Sequence, residues 1–566
     1  MRTAGVWTPE RAARIEFAIP RDAAHGDWTT NLAMLLAKEL RQAPRALAER
    51  LAQAFPRDPA LFERVEVAGA GFVNFTYAGD FLRALPARVL AEGARYGCSE
   101  RGRGDRVLVE YVSANPTGPL NVVSARAAAV GATLVRLLRA AGWDAQGEFY
   151  VNDAGRQVDL LGASLAARFA QRIGADRPLP EGGYQGGYLA ELAATLPEAE
   201  ARAALAREDG AAWFRDQALE RMLAWQKRDL DAYGAEFATW SRESALHASG
   251  AVEEALAALE RRGMTYLASA PEVDHTGGVR RDRVHEEDDA AESGPATWLR
   301  TTRFGDDVDR VVVRSNGAPT YLLPDVAYHA GKRARGFRHA IDLWGPDHHG
   351  YVPRMKAALQ ALGLEPDFLD VIIVQQVNLV SGGEPVKMSK RAGEFITLRD
   401  LIDDVGADQA KFFFLMRSTS SHLDFDMDLA RRQSDENPAY YVKYAHARIA
   451  SVLRFAAEQG HAAGPAEAPY AAAEEQALLR RIAAFPEIVR GAAAAHEPHR
   501  VPTYLIELAG VFHRFYHACR VVGDDPAVTR ARLHLCEAAR VVVRNGLDLM
   551  GVSAPERMER AAEAMS

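Results

Sequence analysis

The sequence predicts a multidomain protein with a small α+β N-terminal domain, an α/β Rossmann-like domain on a parallel sheet, and an all-α C-terminal helix bundle. Its 566 residues exceed what one hydrophobic core accommodates. A strand that begins at residue 106 is followed by a Gly/Pro turn and a long helix. After Met427 the pattern is helical to the end of the chain. We therefore expect domains at 1–98, 99–427 and 428–566.

The N-terminal domain is predicted from two kinds of pattern. Amphipathic helical stretches between Trp28 and Phe55 flank Pro44, which suits the first turn of the second helix. Residues 65–75 then alternate as a strand or hairpin does. Together they predict a small α+β unit that ends before the polar stretch 99–105.

The central segment begins with a buried-type strand at 106–112, the turn Ser-Ala-Asn-Pro-Thr-Gly-Pro at 113–119 and an Ala/Leu/Val helix at 122–141. This succession is typical of a doubly wound nucleotide-binding fold, whose ligands lie at the carboxyl ends of the strands. The charged stretch 279–292 is predicted to be an exposed connection. Further strands are predicted at 147–150, 311–314, 340–344 and 368–374.

The C-terminal region is predicted to be a helix bundle, because apolar residues recur at helical spacing and so lie on one face of each helical stretch. Phe512 is assigned to the core. The two faces consist of Val442, Ala445, Ile449, Val452 and Leu453, and of Leu505, Leu508, Ala509, Phe512 and Tyr516.

Composition excludes several classes of protein. With 48% hydrophobic and 25% charged residues and a net charge of -8, the chain has an ordinary globular composition, so any RNA contact must use local basic faces. No apolar run approaches the roughly 20 residues of a membrane span, and the N-terminus lacks a secretion signal. Cys98, Cys519 and Cys536 are too far apart to suggest a disulfide framework or a metal cluster. We therefore expect a cytoplasmic protein.

One Gly-bounded loop carries two lysines around a small hydroxyl group. Such a loop suits the triphosphate of a nucleotide whose pyrophosphate is leaving, because electrostatic stabilisation of phosphate charge is a large catalytic effect. An exposed, solvated loop is the alternative. The four residues, which resemble the second signature of class I aminoacyl-tRNA synthetases, are Lys387, Met388, Ser389 and Lys390.

Several motifs in order make the resemblance more specific. Residues 109–120 read Val-Glu-Tyr-Val-Ser-Ala-Asn-Pro-Thr-Gly-Pro-Leu, and residues 344–351 read Trp-Gly-Pro-Asp-His-His-Gly-Tyr. The chain resembles a bacterial arginyl-tRNA synthetase over nearly its whole length. The remaining motifs lie at 25–31, 150–157, 321–329, 437–448, 546–547 and 549–558.

This resemblance implies the reaction partners. They are L-arginine, tRNA-Arg, and ATP with Mg²⁺ as a substrate, and neither a tightly bound cofactor or metal nor an obligate protein partner is expected. It also implies a monomer that does not associate with membranes. The N-terminal domain is expected to contact the tRNA elbow, although no residue there stands out.

The amino-acid pocket must neutralise a guanidinium, which a carboxylate meets through two parallel hydrogen bonds. By resemblance, Glu110, Tyr321 and Asp325 form this pocket, while Ser113 and Asn115 hold the α-amino and carboxylate groups of the substrate. Glu110 as a strand-end cap and Asp325 as a helix N-cap are the alternatives. Orienting or wall groups are expected at Asn152, Asp153 and Gln157, unless Asp153 caps the following helix.

The resemblance also places groups on the nucleotide side. Lys387 and Lys390 are expected to stabilise the leaving pyrophosphate, with Ser389 between them, and Met388 is expected to contact ATP. A packed core position is the alternative for either of the two histidines in this set. The other groups expected to line the ATP side are Tyr328, Asp347, His348 and His349.

The sequence departs from the family immediately after Leu120. The family has His-x-Gly-His, whereas this chain has Asn-Val-Val-Ser at 121–124. Asn121 and Ser124 retain hydrogen-bond donors for phosphate at a helix N-terminus but carry no positive charge, and Val123 puts a branched side chain where adenine approaches. Losing one transition-state donor costs about 3–4 kcal/mol.

Two hypotheses follow. The first is an active arginine–tRNA ligase, which the lysine loop and the acidic pocket favour. The second is a paralogue or variant with impaired adenylation that acts as a tRNA-binding or regulatory protein, which the altered tetrad favours.

The C-terminal bundle is predicted to read tRNA, because stacking surfaces beside cations suit unstacked anticodon bases. Aromatic residues at helical spacing are as often part of a core. His513 and Tyr516 belong to the second of the two predicted faces. The tRNA-binding candidates are Tyr441, Tyr444, His446, Arg448, Arg514 and Arg520.

Overall fold

The chain divides into two units. The first comprises 1–99, 433–549 and 553–566, and the second comprises 100–432 and 550–552. The structure is a computed structural model. It describes residues 1, 5, 6, 8, 15, 17–20, 22–272, 294–386, 396–465 and 470–558. The predicted connection at 279–292 lies outside the described residues.

The N-terminal part of the first unit is an antiparallel sheet with helices. Strands β1 (Trp28–Thr30), β2 (Phe62–Ala68) and β3 (Phe72–Tyr77) pair in the order β1-β3-β2. The strand or hairpin predicted at 65–75 is a hairpin of β2 and β3. The helices are α1 (Leu32–Leu40), α2 (Pro44–Gln53) and α3 (Gly79–Glu92), and Pro44 occupies the first position of α2 as predicted.

The second unit is built on a five-stranded parallel sheet. Its strands are β4 (Arg106–Glu110), β5 (Asp144–Val151), β6 (Thr239–Arg242), β10 (His339–Trp344) and β11 (Leu369–Ile373), in the order β11-β10-β4-β5-β6. Every pairing is parallel. Because β5 and β10 lie on opposite sides of β4, the strand order reverses at β4, where parallel sheets open a ligand crevice.

Helices complete the second unit around this sheet. The long helix predicted at 122–141 is α4 (Val122–Ala140), a buried helix that directly follows the turn after β4. A helical insert between β5 and β6 packs around its own apolar core of residues such as Leu165, Phe169 and Phe214. The insert consists of α5 (Arg156–Arg172), α6 (Tyr188–Ala194), α7 (Glu198–Ala206) and α8 (Gly210–Tyr233).

Two smaller sheets also belong to the second unit. Strands β7 (Thr265–Ala268), β8 (Ala296–Leu299) and β9 (Arg310–Val313) form an antiparallel sheet, so the strand predicted at 311–314 exists but lies outside the parallel sheet. The second small sheet contains β12 (Val377–Ser381), β13 (Glu384–Pro385) and β14 (Leu423–Asp426). The remaining helices are α9 (Glu243–Ala248), α10 (Ala251–Arg261), α11 (Leu322–Ala334), α12 (Tyr351–Leu362), α13 (Leu398–Val405), α14 (Ala407–Leu415) and α15 (Met427–Arg431).

The C-terminal part of the first unit is the predicted helix bundle. Its helices are α16 (Pro438–Glu458), α17 (Ala473–Ala495), α18 (Arg500–Ala518) and α19 (Pro526–Leu549). Phe512 is fully buried, as predicted. The bundle joins the N-terminal part of the same unit, since the Asn545 amide donates to the carbonyls of Gly93 (2.9 Å) and Tyr96 (3.0 Å).

None of the helices in the described part of the chain combines the length and apolar character that a membrane crossing requires.

Replacing Gly131 with alanine should destabilise the second unit. A Cβ at this position of α4 would lie 2.2 Å from Cγ of the buried Tyr111 ring, and such overpacking costs about 1–3 kcal/mol. Gly331→Ala on α11 is the matched control, because its Cβ meets nothing within 4 Å and a helical Gly→Ala change gains about 0.5–1 kcal/mol. Urea unfolding measures both variants, and equal midpoints would refute the packing argument.

Candidate functional site

The carboxyl end of β4 carries a strained turn. Val112 and Ser113 have φ values of 70° and 40°, a left-handed conformation that a β-branched residue rarely adopts. The Ser113 hydroxyl donates to Oε1 of Glu110 (3.0 Å) and accepts from the backbone N–H of Tyr150 (3.0 Å). These bonds hold the turn against β5. The strand accordingly ends at Glu110, two residues earlier than predicted.

Three buried carboxylates lie side by side in the parallel sheet, and we call them the acidic row. Asp342 of β10 is in register with Glu110 of β4, which is in register with Glu148 of β5. In-register residues of parallel strands share one face of the sheet. Neighbouring carboxylates disfavour each other's ionisation, so the acidic row requires compensating charge.

Helix α11 supplies that charge to the first two carboxylates. The fully buried Lys332 ammonium lies 2.7 Å from Oε2 of Glu110 and 2.8 Å from Oδ1 of Asp342. Nε2 of His329 lies 2.7 Å from Oδ2 of Asp342. Burial opposes ionisation, but Lys332 and His329 outweigh it and lower the pKa of Asp342 to about 2. Burial likewise opposes the ammonium, but Asp342 and Glu110 raise the pKa of Lys332.

The third carboxylate has its own partners. Arg335, which follows α11, donates to Oε2 (2.6 Å) and Oε1 (3.0 Å) of Glu148. The Tyr328 hydroxyl donates to Oε1 of Glu148 at 2.7 Å. The expectation that Tyr328 lines the ATP side needs correction, because its buried phenol completes the acidic row instead.

The expectation that Glu110 and Asp325 jointly neutralise a guanidinium stays a prediction, and the structure distinguishes the two carboxylates: Glu110 pairs with the Lys332 ammonium, which it shares with Asp342. Asp325 accepts a hydrogen bond from the neutral Tyr351 hydroxyl (2.9 Å), and no ion pair among the described residues involves it. It lies in the first turn of α11, and the N-cap position belongs to Tyr321, so the N-cap alternative is wrong. The Tyr321 side chain is 68% exposed.

Asp325 is poised to accept a cation. Burial, reinforced by the charges of Glu110 and Glu243, raises the pKa of Asp325 to about 6, although His329 opposes this shift. A half-buried carboxylate in such surroundings gains most from a ligand that brings positive charge.

The sequence prediction missed Glu243, the first residue of α9. Burial raises the pKa of Glu243, and its side chain hydrogen-bonds the Tyr150 phenol. Burial raises the Tyr150 pKa, and the negative charges of Glu243, Asp325 and Glu110 raise it further. An acidic residue just after a strand is a usable signal, but β6 has only four residues and was not predicted.

Residues of the helical insert hold the turn after β4 in place. The Asn115 amide donates to Oε1 of Gln157 at 3.0 Å, which brings together two predicted pocket residues. From α8, the buried amide of Gln226 donates to the carbonyls of Asn115 (3.2 Å) and Gly118 (2.9 Å). The insert therefore shapes the edge of the site.

Asp153 has a structural role that differs from both expectations. It accepts from the backbone N–H (2.8 Å) and hydroxyl (2.7 Å) of Ser244, in the first turn of α9. The N-cap of the following helix α5 is Gly155, so the proposed capping of that helix by Asp153 is wrong. The neighbouring Asn152 is half-buried directly after β5.

The altered tetrad forms the start of α4. Oδ1 of Asn121 accepts from the backbone N–H groups of Val123 and Ser124, both at 3.1 Å, and thus caps the helix. The free N–H groups expected to face phosphate are therefore already bonded. Val123 is 37% exposed. Leu398 N–H donates to the Leu120 carbonyl at 2.7 Å, which joins this segment to the start of α13.

The nucleotide-side candidates divide into two groups. Asp347, His348 and His349 are exposed at the carboxyl end of β10, which excludes a packed core position for either histidine. The loop residues Lys387, Met388, Ser389 and Lys390 lie outside the described residues.

In the first unit, the predicted RNA-binding residues lie on α16 and α18, except for Arg520, which follows α18. The rings of Tyr441 and Tyr444 lie 4.9 Å and 6.1 Å from that of His513, and Arg514 is exposed nearby on α18. The prediction that His446 binds RNA needs correction. Its side chain is buried, with Nδ1 2.9 Å from the Pro555 carbonyl, and offers no surface for stacking.

A cavity of about 680 Å³ continues this face of the bundle. Arg448 donates to the Tyr516 hydroxyl (3.1 Å) and lies 4.7 Å from the centre of its ring. The exposed Phe455 and Arg520 also line the cavity. Aromatic faces beside guanidinium groups are typical of surfaces that stack single-stranded bases.

Among the described residues, no group of three or more His, Cys, Asp or Glu side chains is arranged to hold a metal ion.

A parallel sheet whose strand order reverses at β4, an acidic site at its carboxyl edge and a helix bundle with an aromatic-basic face are features that class I aminoacyl-tRNA synthetases combine, and the catalytic-domain family model identifies this class. Three family models match the chain: the arginyl tRNA synthetase N terminal domain at 6–77, the catalytic domain of tRNA synthetases class I (R) at 87–188, and the DALR anticodon binding domain at 442–558.

Curated relatives resemble the chain over almost its whole length. Arginine–tRNA ligase 1 of Halalkalibacterium halodurans is 43% identical over 99% of this chain and 97% of its own. The arginine–tRNA ligase of Moorella thermoacetica is 45% identical over 98% and 96% of the two chains. The Thermus thermophilus arginyl-tRNA synthetase structure, at 22% identity, matches the fold with a TM-score of 0.74 over 96% of both chains. The chain belongs to the arginyl-tRNA synthetase family.

Two isosteric substitutions should change stability in opposite directions. The folded-state pKa of Asp325 is raised to about 6, so its ionisation costs stability as pH rises above the unfolded value of 3.8. Asp325→Asn should therefore stabilise the protein at pH 8, by on the order of 2 kcal/mol, and lose this advantage near pH 4. The pKa of Asp342 is instead lowered to about 2, so Asp342→Asn should destabilise at pH 8. Urea unfolding across pH measures both, and changes of equal sign at pH 8 would contradict this reading.

Proposed function

We propose that the chain activates L-arginine with ATP and transfers the arginyl group to tRNA-Arg. One observation carries the proposal: Asp325 is a carboxylate without an ion-pair partner among the described residues, beside an acidic row in which each carboxylate has a lysine or arginine partner. A guanidinium fits this position because it offers paired donors and a permanent positive charge.

The geometry supports distinct roles for the pocket residues. Asp325 meets the guanidinium, with Tyr321 beside it and Glu243 adding negative charge through its contact with Tyr150. At the end of β4, Glu110, Ser113 and Asn115 orient the α-amino and carboxylate groups, and Gln157 orients Asn115 through their hydrogen bond.

The chemistry then requires positioning and electrostatics rather than a side-chain nucleophile. An oxygen of the arginine carboxylate attacks the α-phosphorus of Mg-ATP, the bond to the β-phosphate bridging oxygen breaks, and pyrophosphate leaves with both electrons. A hydroxyl of the terminal tRNA ribose then attacks the acyl carbon and releases AMP. Lys387 and Lys390 stabilise the leaving pyrophosphate, with Ser389 and Met388 beside them, and Asp347, His348 and His349 line the ATP side.

The altered tetrad slows this chemistry rather than abolishing it. Asn121 occupies the N–H groups of Val123 and Ser124, so phosphate must displace a neutral cap before it uses this helix end. An impaired paralogue that only binds tRNA is not favoured, because identity with named ligases extends over nearly the whole chain.

The domains divide the work along the predicted boundaries. Residues 1–98 contact the tRNA elbow, residues 99–427 carry out the chemistry, and residues 428–566 read the anticodon. Tyr441, Tyr444, Arg448, Arg514 and Arg520 present the aromatic and cationic surface for unstacked bases. The enzyme acts as a cytoplasmic monomer without an obligate protein partner.

The purified protein should charge tRNA-Arg with arginine in the presence of Mg-ATP. The variant with Asn121→His, Val123→Gly and Ser124→His should charge at least about tenfold faster, which corresponds to about 1.4 kcal/mol of barrier. Initial rates of charging measure both proteins. Absence of arginine-dependent charging by either one would reject the function, and equal rates would reject the role given to the tetrad.

Arg448→Ala should raise the KM for tRNA-Arg about tenfold, because stacking on such a surface contributes about 1–3 kcal/mol per base. The KM for arginine should stay unchanged. Arg454→Ala on the same helix is the control, since this arginine bonds the Glu556 carbonyl and does not line the cavity. Similar KM values for tRNA-Arg in the two variants would show that the cavity is not part of the RNA-binding surface.

A further inference from the structure

Lys332 occupies an unusual place for a lysine. Its side chain is fully buried, and its ammonium lies between Glu110 and Asp342, which are register partners on adjacent strands. The ammonium also lies 4.4 Å from the centre of the Tyr328 ring. With no exposed surface, Lys332 cannot meet a substrate directly, and any influence it has must pass through its partners.

One of those partners leads to the amino-acid pocket. Oε2 of Glu110 accepts from Lys332 (2.7 Å), while Oε1 accepts from the Ser113 hydroxyl (3.0 Å). The same hydroxyl accepts from the Tyr150 N–H (3.0 Å). Both oxygens of Glu110 are thus committed, and the ammonium determines which way the carboxylate faces the strained turn at Ser113.

We propose that Lys332 is a positioning residue of the amino-acid pocket, which acts by holding Glu110 against Ser113 and leaves Asp325 as the charge that selects a cationic side chain. This inference rests on the proposed function. Lysine suits the role because it offers three donors from one point charge, enough to bridge two carboxylates that would otherwise repel.

The pair of Arg335 and Glu148 provides a contrast that helps to separate positioning from charge compensation. Arg335 pairs with Glu148 in the same row, but it is partly exposed, and the described hydrogen bonds of the Glu148 carboxylate go to Arg335, Tyr328 and Ser241 rather than to Ser113. If Lys332 served only to balance charge, removing it together with one carboxylate would leave the pocket intact. If it positions Glu110, that double substitution still disrupts the pocket.

The experiment uses the full chain with Asp342→Asn as the background, because this variant keeps the Lys332–Glu110 bond. The double variant Lys332→Met with Asp342→Asn restores the original net charge of the group and avoids two unpaired buried carboxylates. Aminoacylation of tRNA-Arg gives kcat and KM for arginine and for ATP. We expect the double variant to raise the KM for arginine at least about tenfold over the unsubstituted protein, which has the same net charge in this group, with the KM for ATP within about twofold.

A second variant separates positioning from general damage to the fold. Lys332→Gln in the same background retains an amide donor for Glu110 without the charge. Its KM for arginine should therefore lie between that of the Lys332→Met double variant and that of the unsubstituted protein. Arg335→Gln is the control on the same side of the sheet and should keep the arginine KM within about threefold.

The outcomes are distinguishable. An arginine KM of the double variant within about threefold of that of the unsubstituted protein would overturn the role of Lys332, and so would equal increases in the KM values for arginine and ATP. Absence of partial recovery in the glutamine variant would also overturn it. Failure of the parent protein to charge tRNA-Arg would instead reject the proposed function, and with it this inference.

Discussion

The buried pairing of Lys332 with Glu110 and Asp342 is the constraint on which the rest of the site depends. Taking an ion pair out of water costs about as much as the attraction returns, so such a pair adds little net stability. Breaking it is expensive, however, because a buried charge is then left unpaired. The pairing therefore acts chiefly on geometry, and it holds β4, β10 and α11 in one arrangement.

That arrangement divides the carboxylates of the site into two groups. Glu110, Glu148 and Asp342 form a row inside the sheet in which each carboxylate is ion-paired with Lys332 or Arg335, and they help define the fold. Asp325 and Glu243 have raised pKa values and no buried lysine or arginine partner of this kind among the described residues. An acidic pocket is thus compatible with a stable fold, because the cost of uncompensated charge is confined to the positions where a cationic ligand relieves it.

The sequence predicted the elements with clear periodicity and missed several short strands. The helix α4 and the hairpin of β2 and β3 follow from clear periodicity, whereas β6, β7 and β8 each have four residues and show too little pattern. Glu243 was missed for this reason. His446 was misassigned because helical spacing does not reveal which aromatic positions are buried.

By itself, the sequence determined the fold class, the family and the residue types that the pocket uses, because these follow from local periodicity and ordered motifs. Only the tertiary structure decided which carboxylate is free for a ligand. Glu110 and Asp325 are chemically alike and both stand near strand or helix ends, but Lys332 approaches only the former. That difference arises from contacts between residues 222 positions apart in the chain, which local sequence patterns do not encode.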